Sequence, residues 1–119
     1  MAKIIRSPEI INAAGNMPKR IEEFIGRVNS GNEDFSLAKM KSPPGWKEPG
    51  QTPRFNEYSL VLNGTLKVEL KDKTIDVQKD QIFVAAKGEW VRYSSPEGAE
   101  YISLCIPAFS PNTVNRDSE

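Results

Sequence analysis

The chain has 119 residues, enough for one domain with a buried core and too few for a catalytic domain plus an accessory one. Sixteen Lys and Arg balance sixteen Asp and Glu, and the basic residues are scattered along the chain, so we expect no nucleic-acid partner. The apolar runs are far shorter than the roughly 20 residues that span a bilayer, and the first residues lack the apolar segment of a signal peptide. We therefore predict a cytoplasmic protein with no membrane partner.

The first third of the chain allows more than one interpretation. Residues 8–14 could form a short helix capped by Ser7. Residues 18–28 fit a helical apolar stripe, but the sequence NSGNED at 29–34 resembles a hairpin loop that would join a strand over 23–28 to a strand over 35–41. We favour the hairpin and leave the helix open.

From residue 35 onward, short runs of alternating apolar and polar residues predict β-strands. The predicted strands cover 35–41, 55–62, 65–70, 74–78, 81–86, 90–94 and 100–106. Asn63-Gly64 is the dipeptide favoured in two-residue hairpins, so the strands on either side of it are predicted to be antiparallel neighbours in a meander. At least seven short strands at this spacing indicate a closed antiparallel barrel or sandwich.

Two segments resemble the motifs of a known family. Glu57 and Gly64 enclose six residues, and a Lys79-Asp80 turn is followed by an apolar strand and Gly88. On these motifs the chain resembles a small single-domain cupin, an RmlC-like jelly roll also described as a double-stranded β-helix. The resemblance implies an all-β fold with an N-terminal extension over 1–34, a cupin barrel over 35–107 and a C-terminal tail over 108–119.

The chain departs from the cupin motifs at every histidine position, and histidine is absent from the whole sequence. The first two positions fall on Gly50 and Thr52 or on Gln51 and Pro53, and the third falls on Val91. We therefore expect no metal held by imidazole and no other cofactor. Gln51 and Glu48 could supply oxygen ligands, which suit Mg²⁺ or Ca²⁺, but they match no known metal loop.

The resemblance directs the side chain of Glu57 into the barrel, where it is the leading candidate for a general acid or base. The alternative is that hydrogen bonds tie Glu57 down and it only supports the barrel mouth. Arg54 could clamp a carboxylate or phosphate of a ligand, or it could be an exposed loop charge. Trp46, Tyr93 and Tyr101 could line a ligand pocket together with Gln51, or the aromatic residues could belong to the core.

The absence of histidine excludes Ser-His-Asp and Cys-His mechanisms, so Cys105 is interpreted as a small packed residue. Three hypotheses for function remain. The chain binds a small polar or anionic organic molecule in the barrel through Arg54, Gln51 and Glu57; or it is an acid–base enzyme of isomerase, lyase or cyclase type that uses Glu57; or it is a structural or regulatory module with a filled barrel. By analogy with small cupins, we expect a homodimer.

Overall fold

The computed structural model describes residues 2–118, which form two antiparallel β-sheets and no helix. The predicted all-β jelly-roll barrel is therefore confirmed. The ten strands are β1 Glu9–Ile11, β2 Arg20–Ile25, β3 Ser36–Ser42, β4 Trp46–Lys47, β5 Asn56–Gly64, β6 Leu66–Glu69, β7 Thr74–Val77, β8 Ile82–Ala85, β9 Arg92–Ser95 and β10 Ala99–Ile106. One sheet has six strands in the order β1-β2-β3-β10-β5-β8, and the other has four in the order β4-β9-β6-β7.

Alternation along the central strands determines which side chains enter the barrel, because successive residues of a strand point to opposite faces. On β10, Ala99, Tyr101, Ser103 and Cys105 are buried, and the residues between them are not. The neighbouring strand β5 follows the same period and buries Glu57. Tyr101, predicted to line a pocket, thus lies on the same inward face as Ser103 and Cys105.

The N-terminal segment forms strands of the larger sheet. The predicted hairpin between 23–28 and 35–41 is confirmed, with β2 antiparallel to β3, although β2 begins and ends three residues earlier than predicted. The short helix predicted over 8–14 is wrong, because Glu9–Ile11 pairs with β2 instead. Ile11 lies opposite Ile21 in this register, so the free backbone groups of the β2 edge are paired by a strand, and a helix at this position would leave them unpaired.

The prediction that β5 and β6 are neighbours in a hairpin is wrong. β5 pairs with β8 and β10, whereas β6 pairs with β7 and β9 in the other sheet. A two-residue hairpin of type I′ needs positive φ at both central residues, and here Gly64 has a φ of 75° while Asn63 is not in that region. A side chain at Gly64 would also clash with the carbonyl of Gly98. Gly64 therefore forms a corner between the two sheets.

The predicted meander holds only for the hairpin between β6 and β7, which places Leu66 opposite Val77. The connections after β7, β8 and β9 each cross from one sheet to the other. This alternation between sheets is the jelly-roll connectivity, and it encloses the interior between two walls.

The interior contains a large and a small hydrophobic cluster. The large cluster consists of Trp46, Val61, Leu66, Val68, Val77, Ala85, Val91, Tyr93, Ala99 and Tyr101. The small cluster consists of Phe55, Cys105 and Val114, with Phe109 packed against it. Within residues 2–118, no helix is long and apolar enough to cross a membrane, and the cellular location stays a prediction.

Candidate functional site

A cavity of about 50 Å³ lies between the two hydrophobic clusters and is lined by residues of both. At roughly 10–15 Å³ for each water molecule, it has room for about three to five waters or for a compact organic molecule. A more open groove of about 610 Å³ adjoins it, and Asn12, Phe109 and Arg116 line both spaces. The groove is therefore the structural candidate for an entrance to the cavity.

Glu57 lies on the inner wall, where β5 directs it toward β9 and β10, and it is 8% exposed. Its Oε1 accepts a hydrogen bond of 3.0 Å from the Tyr93 hydroxyl, and its Oε2 accepts one of 2.5 Å from Ser103. The Cys105 thiol lies 3.9 Å from the same Oε2. Both carboxyl oxygens are thus held by hydroxyl donors from neighbouring strands.

Three side chains near Glu57 keep their protons, namely Tyr93, Tyr101 and Cys105. Burial, reinforced by the charge of Glu57, raises the pKa of Tyr93 and of Cys105 well above their usual values. Burial also raises the pKa of Tyr101, with Glu48 contributing before Glu57. These side chains can therefore act as hydrogen-bond donors, while a reactive thiolate at Cys105 is disfavoured. This agrees with the interpretation of Cys105 as a packed residue.

Lys19 lines the cavity and was not identified from the sequence. Its amine donates a hydrogen bond of 3.1 Å to the Tyr101 hydroxyl and lies 4.0 Å from the centroid of the Trp46 ring. Burial lowers the pKa of Lys19, and attraction to Glu48 and Glu57 opposes this only in part. Strand alternation could have identified Lys19, because residues 19, 21 and 23 share one face of a period-two strand. The residue was missed because the predicted barrel began at residue 35.

Glu48, Gln51 and Arg116 form a polar group at the edge of the cavity. The Arg116 guanidinium donates to Gln51 Oε1 at 2.8 Å and to Glu48 Oε2 at 3.4 Å. Burial raises the pKa of Glu48, although Lys19 and Arg116 oppose the shift. Arg116 was also missed, because its position follows from an isolated bridge that pairs residue 116 with Gln51, a contact between distant parts of the chain.

The residues present do not fit the metal that the fold family commonly holds. Val91, which occupies the third histidine position, is fully buried among apolar residues. The oxygens of Gln51 and Glu48 already face the guanidinium of Arg116, which supplies the positive charge that a metal would bring. Within residues 2–118, no group of three Cys, Asp or Glu side chains is arranged to hold an ion.

The predicted site residues are only partly brought together. Glu57, Gln51, Tyr93 and Tyr101 line the cavity, as the sequence suggested. Arg54 does not, since it is exposed and outside the cavity; Phe55 and Glu57 point inward, so residue 54 points outward. The structure therefore does not support the predicted clamp at Arg54, and Lys19 and Arg116 are the cationic residues that line the cavity.

Trp46 was predicted to line the pocket, but it is fully buried in the large cluster. Its indole N–H donates a hydrogen bond of 3.3 Å to the carbonyl of Ala14. Its ring face supports the Lys19 amine through a cation–π contact. Trp46 therefore positions a residue of the cavity wall and does not itself line the cavity.

Comparison with known sequences gives a partial match. No family model matches the chain. A curated protein of Myxococcus xanthus named endoribonuclease YbeY is 35% identical over 102 residues, which make up 84% of this chain and 35% of that protein. The chain thus spans about a third of the length of the curated relative it matches.

Comparison with solved structures decides the fold. An RmlC-like cupin from Shewanella frigidimarina superposes with a TM-score of 0.72 and 16% identity, covering 89% of each chain. The chain has the cupin fold. The polyketide cyclase RemF from Streptomyces resistomycificus superposes on this cupin barrel with a TM-score of 0.74 and 16% identity, covering 100% of this chain and 88% of RemF. At these identities the likeness concerns the fold alone.

Proposed function

We propose that this cupin binds a small polar or anionic organic molecule in its barrel cavity, through its own side chains and without a histidine-coordinated metal. The observation that carries the proposal is the enclosed cavity where the Lys19 amine and the Tyr101 hydroxyl meet. An amine and a phenol inside a folded core are costly to bury unless they find partners, and a polar ligand would supply them.

The rest of the wall is suited to a compact organic molecule. Ile21, Ala38 and Met40 provide an apolar surface on one side, and Glu57 with its two hydroxyl donors provides a fixed polar surface. Small-molecule sites typically combine apolar walls with a few convergent polar groups. The adjoining groove gives such a ligand a path from solvent.

Thermal unfolding across a panel of small metabolites tests this proposal, because a ligand that binds only the folded state raises the melting temperature. Ala38→Met would fill the cavity from β3 and should abolish the ligand-dependent rise. Lys39→Met is the matched control, since residue 39 is on the same strand but points away from the cavity. A rise of equal size in Ala38→Met would contradict binding inside the barrel.

A second candidate function is acid–base catalysis by Glu57 on the same ligand, in an isomerase, lyase or cyclase type of step. The specific observation is that a carboxyl group lies on the cavity wall between two hydroxyl donors that can relay protons. RemF, which shares the fold, is named a polyketide cyclase. Glu57→Gln should then abolish turnover of a bound compound while it leaves much of the binding, and retained turnover would exclude the enzyme.

The filled-barrel hypothesis has less support, because the cavity leaves part of the interior open. The endoribonuclease name belongs to a protein of which only about a third aligns with this chain, and the chain has no excess of basic residues over acidic ones to favour RNA. We therefore do not propose ribonuclease activity for this chain.

We also propose that the chain forms a homodimer through the outer face of the six-stranded sheet. That face carries an apolar patch formed by Tyr58, Leu60, Ile82, Val84, Ile102 and Leu104. Ile82 and Val84 on the edge strand β8 are more than half exposed, and large exposed apolar patches mark interaction sites. Light scattering should show a dimer for the wild type and a monomer for Ile82→Lys/Val84→Lys; a wild-type monomer would exclude the proposal.

A further inference from the structure

We propose that Lys19, together with the hydroxyl of Tyr101, anchors the carboxylate of a short-chain organic acid. This inference rests on the proposed function and specifies its ligand class. It concerns a pair of side chains that the cupin motifs do not contain. The two residues come from different strands: Lys19 immediately precedes β2, and Tyr101 is on β10.

Lys19 and Tyr101 leave hydrogen-bond donors unused. A lysine amine has three N–H donors when it is protonated and two when it is neutral, and only the bond to Tyr101 is formed with residues 2–118. The Tyr101 hydroxyl accepts that bond, and its own proton has no acceptor in the described part of the chain. Two adjacent groups with free donors, both on the cavity wall, fit the oxygens of one carboxylate.

The acidic groups around the Lys19 amine are held by other partners. Lys19 forms no ion pair within residues 2–118. The titratable and charged groups that line the same cavity are Glu23, Glu48, Glu57, Tyr93, Tyr101, Cys105 and Arg116. Glu23 is held by the backbone N–H groups of Val28 and Asn29, and Glu57 is held by Tyr93 and Ser103. Glu48, whose charge attracts Lys19 more strongly than that of Glu57, is paired with Arg116 at 3.4 Å. In the described part of the chain, none of these three acids forms an ion pair with the amine.

A ligand carboxylate would change the protonation of Lys19. Burial disfavours the charged amine and lowers its pKa. A negative charge beside it favours the ammonium form, and the interaction is strong in an enclosed site. Binding should therefore raise the pKa of Lys19 and take up a proton wherever the free amine is neutral.

The cavity also limits the size of the acid. A volume of about 50 Å³ holds about three to five waters, which corresponds to a molecule with few non-hydrogen atoms. Acetate is a suitable probe, and acetamide is its neutral isostere. The comparison of the two separates recognition of charge from recognition of shape.

The experiment is a pH titration of the full chain labelled with ¹³C at the lysine Cε, with and without 100 mM acetate or acetamide. The Lys19 resonance is identified by its loss in Lys19→Met, and Lys79→Met, at an exposed position, is the control. We expect Lys19 to titrate below 10.5 and to move up by at least half a pH unit with acetate but not with acetamide. An equal shift with both probes, or no shift with acetate, would overturn the proposal.

Thermal unfolding provides a second measurement, in which a charge-preserving variant is compared with Lys19→Met. Lys19→Arg keeps a cation and should retain stabilisation by acetate, whereas Lys19→Met should lose it. Loss in both variants, or retention in both, would contradict an anchor based on charge. If neutral compounds stabilise the wild type but not Ala38→Met, while acetate has no effect, the carboxylate assignment fails and ligand binding in the barrel stands.

Discussion

The two ends of the barrel interior differ in chemistry. At one end, which we call the apolar end, Leu66 and Val68 are fully buried among other apolar side chains. At the other end, Lys19 and Glu48 face a cavity, with their pKa values displaced toward the neutral forms. Apolar burial stabilises the fold, whereas removing a charged group from water opposes it. This difference supports the proposal that the polar end binds a ligand.

The largest expected change in the free energy of unfolding is at the apolar end, and it tests the difference between the two ends. Leu66→Ala should lower the free energy of unfolding by about 2–5 kcal/mol, because it removes a fully buried side chain and leaves a void. Ser103→Ala at the polar end should cost only about 1 kcal/mol through the lost hydrogen bond to Glu57. Urea denaturation measures both. Similar losses for the two variants would remove the distinction between the ends.

Glu57→Leu should have the next largest effect, about 1–3 kcal/mol. The substitution leaves the buried hydroxyls of Tyr93 and Ser103 without their acceptor, and unsatisfied buried donors are costly. Glu97→Leu, at an exposed position, is the control and should change the unfolding free energy by less than about 0.5 kcal/mol. An unchanged stability in Glu57→Leu would show that the carboxyl does not organise the cavity wall.

Lys19→Met should leave stability unchanged at neutral pH or raise it by up to about 1 kcal/mol, although it removes a hydrogen bond to Tyr101. Because the pKa of Lys19 is lower in the folded state, the native protein binds fewer protons than the unfolded chain between that pKa and 10.5, and wild-type stability gains from rising pH there. The advantage of Lys19→Met should therefore shrink toward pH 10.5. A large loss of stability would assign Lys19 a structural role.

The smallest effect on stability is expected at Glu48. Burial raises the pKa of this carboxyl above 4.5. The native state then holds a proton that the unfolded chain releases, so stability contributed by this group is present at low pH and is lost as pH rises through the raised pKa. Glu48→Gln does not lose stability in this way, because glutamine does not titrate. Relative to Glu48→Gln, the wild type should become less stable from about pH 5 upward by thermal unfolding; a constant difference between pH 4 and 8 would contradict the raised pKa.

The sequence predicted the strands and the inward face where local alternation decides the outcome. β10 shows this most clearly, since residues 101, 103 and 105 alternate without interruption. The Asn63-Gly64 pair misled the prediction, because its conformation depends on a close approach to Gly98 across the barrel. A local turn signal carries no information about such a contact, so the hairpin was predicted where the chain changes sheets.

The candidate site was harder to predict for the same reason. Glu57 and the two tyrosines follow from strand period and family motif, and all three line the cavity. The two cationic residues of the cavity were not predicted from strand period or from the family motif. Lys19 precedes the predicted barrel, and Arg116 lies in the C-terminal tail and bridges Gln51. Arg54, the cation nearest to Glu57 in sequence, points away because of strand alternation.

The central claim is that the polar end of the interior is a ligand site that works with protein side chains alone. The most direct measurement is a crystal structure of the chain with the compound that raises its melting temperature most, recorded together with elemental analysis of the same preparation. We predict density for the compound between Lys19 and Glu57 and less than stoichiometric iron, zinc or copper. A compound bound elsewhere, or a stoichiometric transition metal in the cavity, would contradict the claim.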